Sequence, residues 1–71
     1  MEQIIEIEFM FDDISGAKDL AVIHQVKYDV RGTHPDGLTT IRFVGEQETL
    51  ENFLQDVFPN EDVEFEAYMI V

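Results

Sequence analysis

The sequence has no cysteine and no tryptophan, one serine, two prolines, and only four basic residues against sixteen acidic ones in 71 positions. Each shortage excludes something. Without cysteine there is no disulfide framework, thiolate metal site, iron–sulfur cluster or cysteine nucleophile. Ser15 lies outside any Gly-x-Ser-x-Gly turn, and neither Gly-x-Gly-x-x-Gly nor Gly-x-x-x-x-Gly-Lys occurs to cradle a phosphate. No apolar run approaches the ~18 residues of a membrane helix. The N-terminal stretch Met1-Glu2-Gln3-Ile4-Ile5-Glu6 carries acids where a secretory signal carries Lys or Arg. A cytoplasmic protein is expected. A formal charge of −12 and a pI near 4.1 repel phosphate backbones and anionic lipid, so nucleic acid and membranes are disfavoured partners.

Apolar residues make up 45% of the chain and are spread along it, which predicts one folded domain over 1–71 rather than a disordered acidic segment. So short a chain buries only about 60% of the surface its unfolded form exposes, and its core is thin. The charge is unevenly distributed. Residues 1–13 hold five acids and no base, residues 43–71 hold eight acids and no base, and all four bases (Lys18, Lys27, Arg31, Arg42) lie between.

Period-2 alternation over Ile4–Phe11 predicts a first strand with Ile5, Ile7, Phe9 and Phe11 inward, and over Val22–Arg31 a second. Thr33-His34-Pro35-Asp36-Gly37 reads as a turn, with Pro presetting its first position, and Leu38–Val44 as the returning strand. If facing residue numbers sum to 71, Tyr28 meets Phe43, Val30 meets Ile41 and Asp29 meets Arg42. A slip by one would set Val30 against Arg42. Gly45 ends that strand. Glu46 and Glu48 suit a first helical turn, Leu50, Phe53, Leu54, Val57 and Phe58 form one apolar stripe, and Pro59 stops the helix. Val63–Val71 alternates again as a last strand.

Asp12–Ala21 is open. An Asp cap followed by Ile14, Ala17, Leu20 and Ala21 suits a short helix, whereas Gly16 and the brevity of the segment suit a loop. The two options give a ferredoxin-like β-α-β-β-α-β order or a β-β-β-α-β meander. The expected fold is α+β, ferredoxin-like, with a four-stranded mostly antiparallel sheet carrying helix on one face. The open face would then present Glu6, Glu8, Gln25, Lys27, Asp29, Arg31, Thr40, Arg42, Glu64, Glu66 and Tyr68. This is either a solvated lattice of ion pairs or a docking face for a charged partner.

The chemistry-bearing residues are few. His24 aligns with the apolar side of strand two, which fits a border histidine better than a ligand. His34 sits in the turn. No His-x-x-x-His or Glu-x-x-His spacing exists, and neither Asp12-Asp13 nor Asn60-Glu61-Asp62 has a calcium-loop pattern, so no metal or cofactor is expected. Analogy with ferredoxin-like families also prunes. Metallochaperones need a Cys pair, RNA-recognition motifs need basic and aromatic central strands, and acylphosphatase-like enzymes need an Arg after strand one, where this chain offers only Lys18. The expectation is a non-enzymatic acidic module that binds another protein, first of all itself as a homodimer. Its contact residues would be Tyr68, Met69, Ile70 and Val71 of an edge strand whose last five residues carry no charge, with Arg31 and Arg42. The alternatives are a ligand-binding or enzymatic dimer with a pocket near His24 and Tyr28, and a nucleic-acid-mimicking inhibitor of a basic protein.

Overall fold

The computed structural model describes residues 1–70. It is an α+β fold in which a three-stranded antiparallel sheet, ordered β1-β3-β2, carries two helices on one face. The elements run β1 (Glu2–Phe9), α1 (Phe11–Ile23), β2 (Lys27–Thr33), β3 (Thr39–Glu46) and α2 (Gln47–Val57), followed by a 3₁₀ turn at Phe65–Ala67. No described helix is long and apolar enough to cross a membrane.

The helix between β1 and β2 excludes the meander. It is longer than the segment Asp12–Ala21, and two local causes set its ends. Met10 stands at the N-cap position with no side-chain hydrogen bond, while Asp12 and Asp13 fall in the first turn, where the dipole favours them. Asp12 is therefore a first-turn residue and not the cap. At the other end Gln25 adopts φ +59°, its N–H donates to the Val22 carbonyl at 3.1 Å, and the Val26 N–H donates to the Ala21 carbonyl at 2.8 Å. That pair of bonds is a Schellman closure, with buried Val26 packing at its end as such closures favour. The alternation from Val22 to Val26 is thus helix and cap, and β2 begins only at Lys27. Phe11, expected inward on a strand, opens α1 and is 82% exposed.

The hairpin has the expected register. Tyr28 pairs with Phe43, Asp29 with Arg42 and Val30 with Ile41, after which a bulge at Arg31 shifts the pairing to Gly32–Thr40 and Thr33–Thr39. In the turn the Gly37 N–H donates to the His34 carbonyl at 3.0 Å and the His34 N–H to the Leu38 carbonyl at 2.7 Å. Gly37 supplies the positive φ of +91° that this closure requires. Gly45 does not end β3, which continues to Glu46 so that β1 is paired along its whole length, from Glu2–Glu46 to Phe9–Thr39.

The core is one cluster. Ile5, Ile7 and Phe9 of β1 and Ile41 and Phe43 of β3 meet Ala17 and Ala21 of α1, Leu50, Phe53 and Leu54 of α2, and Val26 and Phe65. The stripe on α2 behaves as its spacing predicts, with Val57 and Phe58 at the margin. Phe43 lies at the centre, its ring 4.6 Å from that of Phe53 and edge-on to Phe9 at 6.1 Å.

Among the described residues the expected fourth strand does not form as a strand. The C-terminal segment turns at Phe65–Ala67, which sends Phe65 into the core, and touches β1 only through an isolated bridge between Ile5 and Met69. The Glu6 N–H donates to the Tyr68 carbonyl at 3.1 Å and the Ile70 N–H to the Ile4 carbonyl at 3.0 Å. Extending this register would set Glu66 directly opposite Glu8, and like charges so placed destabilise a ladder. The turn avoids that confrontation.

Candidate interaction surface

The residues expected to form a contact surface are dispersed across the sheet. Arg31 sits on the β2 edge at the bulge and donates to Asp29 Oδ2 at 2.7 Å. Arg42 lies on the central strand, where its Nε and an Nη both donate to Glu6 Oε2, at 2.8 and 2.7 Å. This ties β3 to β1 across the face away from the helices. Asp29 stands beside Arg42 in register, yet its carboxylate accepts from Arg31 on its own strand. At the opposite edge, Tyr68 is stacked against Phe58 at the end of α2, with rings 5.9 Å apart and 12° from parallel. Met69 is bridged to Ile5, and Ile70 is partly exposed beside Ile4. Val71 lies outside the described residues. Gln25 leaves the face altogether, because it caps α1.

The two histidines each hold one hydrogen bond. His24, at the C-cap of α1, brings Nε2 to 2.6 Å from Asp56 Oδ2 and sets its ring edge-on to Phe53, so it clips α1 to α2. His34 Nε2 is 2.7 Å from Thr40 Oγ1 and braces the hairpin. Among the described residues no group of three or more His, Asp and Glu side chains is arranged to hold a metal ion. Tyr28 belongs to a groove on the outer flank of α1, while His24 faces α2.

Two open grooves follow α1. The first, about 540 Å³, runs between the helices over Phe9, Gly16, Ala17, Leu20, Val57 and Phe58, with Asp12, Asp13 and Asp19 along it. The second, about 570 Å³, lies between α1 and β2. Phe11, Ile14, Val22 and Tyr28 provide its apolar lining, and Lys18 stands among them.

That second groove belongs to a wider uncovered region. β2 is the outer strand of the sheet, and every one of its residues is exposed, including Tyr28 (41%) and Val30 (44%), whose side chains stand on the helix side opposite buried Phe43 and Ile41. Val22 (68%), Ile23 and Met10 add apolar surface nearby on α1 and its approach. A signal for this region exists in the sequence. Phe11, Ile14, Lys18 and Val22 recur at i, i+3, i+7 and i+11, a second stripe on α1 distinct from the buried Ala17 and Ala21. No protein-family model, curated protein or solved structure matches the chain.

Proposed function

We propose that this chain is a non-enzymatic protein-interaction module of the cytoplasm, and that its first partner is a second copy of itself. One observation carries the reading. An outermost strand with no neighbour on its free side runs beside a helix whose Phe11 and Val22 face solvent. Unpaired backbone and exposed apolar surface of this kind are the two ingredients of association between chains.

The C-terminal segment is read here as the remnant of a fourth strand in a ferredoxin-like β-α-β-β-α-β arrangement. Its support is the Ile5–Met69 bridge on the side of β1 that β3 leaves free. Size-exclusion chromatography with light scattering at micromolar concentration tests the functional reading. The expected mass is twice the chain's 8.2 kDa, and a clean monomer overturns it.

A ligand-binding role rests on the groove between the helices, whose volume of about 540 Å³ suits a small molecule. Stabilisation by a metabolite in a thermal-shift screen, abolished by substitution of Leu20, would favour that role over the interaction module.

A further inference from the structure

The free edge of β2 can be paired with a second copy of this chain in one register that its own charges favour, and we infer that the homodimer forms there, about a two-fold axis through Tyr28. The inference rests on the self-association proposed above and names the surface. Each protomer carries a charge of −12, so two copies approach best where that excess is weakest. Lys18, Lys27 and Arg31, three of the four basic residues, lie on β2 or on the flank of α1 beside it, where they balance Asp12, Asp19 and Asp29 and leave the patch close to neutral.

Register follows from the side chains of β2. Residues directly opposite one another point to the same face of a sheet. Keeping both helix layers on one side therefore requires even-numbered residues to face even, and odd to face odd. Three such pairings are available. Centring on Asp29 sets Tyr28 against Val30 twice, but it also sets Asp29 against Asp29 and Lys27 against Arg31, so that every charged pair repels. Centring on Val30 sets Asp29 against Arg31, but Arg31 lies in the bulge, where the strand leaves its regular course. Centring on Tyr28 sets Lys27 against Asp29 twice, brings the two Tyr28 rings together and uses only the regular part of the strand before the bulge.

A basic residue on an exposed strand ordinarily guards it against pairing. Here the alternation Lys27, Asp29 turns the guard into a match between copies. The groove formed by Phe11, Ile14, Val22 and Tyr28 flanks the same axis in both protomers, so the dimer covers its apolar lining while extending the sheet from three strands to six.

The absence of cysteine makes the test direct. Tyr28→Cys, Val30→Cys and Asp36→Cys each introduce a single thiol, the last at the hairpin tip as a control. Antiparallel partners stand with their Cα atoms about 4.5–5.5 Å apart, within the span of a disulfide. Under mild oxidation at micromolar concentration, the Tyr28→Cys protein is expected to form covalent dimer at least about tenfold faster than Asp36→Cys, because paired thiols react as neighbours. Sedimentation provides a second readout without cross-linking. Lys27→Glu should weaken the dimer, and Lys27→Glu/Asp29→Lys should restore it.

Faster cross-linking by Val30→Cys would overturn the Tyr28-centred register. Cross-linking of Tyr28→Cys and Val30→Cys no faster than the control, in a protein that is dimeric by light scattering, would overturn the Tyr28-centred dimer and leave self-association standing. A monomeric parent protein would remove both.

Discussion

The two helices of this protein treat their apolar residues in opposite ways. α2 gathers Leu50, Phe53 and Leu54 beneath it and shows solvent a polar face, whereas α1 buries only Ala17 and Ala21 and leaves Phe11, Val22 and Ile23 outside. The strands divide similarly. On β3 the residues Thr39, Ile41 and Phe43 are buried, and on β2 none is. Stability thus resides in the β1–β3–α2 half, where large side chains interlock. The α1–β2 half holds its place through Ala17 and Ala21, the partly buried Ile14 and Leu20, the His24–Asp56 bond and the cap at Gln25, and Phe11, Val22 and Ile23 are left exposed.

The strongest way to break this comparison is to truncate one phenylalanine from each helix. Phe53→Ala should cost about 3–5 kcal/mol, enough to unfold much of so small a domain, while Phe11→Ala should change monomer stability by less than about 0.5 kcal/mol. Urea denaturation at a concentration low enough to keep the protein monomeric checks both. Equal losses would show that α1 is packed as tightly as α2. A smaller effect of opposite sign is expected at the helix cap. Gln25 occupies a left-handed conformation that suits glycine, so Gln25→Gly should stabilise the fold by about 0.5–1 kcal/mol. For a domain of this size that corresponds to several degrees in Tm, measured by circular dichroism. Loss of stability would mean that the side chain of Gln25 contributes more than its backbone strain costs. The smallest shift should come from salt. Screening the repulsion among sixteen carboxylates should raise Tm by a few degrees between low and physiological ionic strength, and no response would show that pairs such as Glu6–Arg42 already neutralise the field where it matters.

How much of this was visible in the sequence depends on whether one pattern or two competed for the same residues. The hairpin was readable because only one register satisfies both faces at once: Tyr28 and Val30 need apolar partners while Asp29 needs Arg42. α2 was readable because its stripe has a single period. From Val22 to Val26, however, alternation coincided with the last turn of a helix and its cap, and Gln25 stands where a glycine would have marked the stop. Phe11 was misplaced for the same reason, since it continues the β1 alternation while serving as the first residue of α1. The C-terminal segment alternates like a strand, but an extended pairing with β1 would set Glu66 opposite Glu8, residues 58 positions apart in the chain, a clash no local pattern reveals. The edge expected at Tyr68–Val71 carries a partial bridge and a stacked tyrosine, and the uncovered apolar region lies at the other side of the sheet.

The turn at Phe65–Ala67 has one more consequence, for the size of any assembly. A sheet with two usable margins can recruit copies without limit and grow into a fibre. Among the described residues the margin beyond β1 is interrupted by a turn that carries Glu66 and is preceded by Glu64, whereas β2 offers a long free margin. The proposed pairing through β2 would consume it symmetrically, and growth would end at two copies. On that proposal, the turn that interrupts the C-terminal segment makes self-association a closed event rather than the start of a polymer.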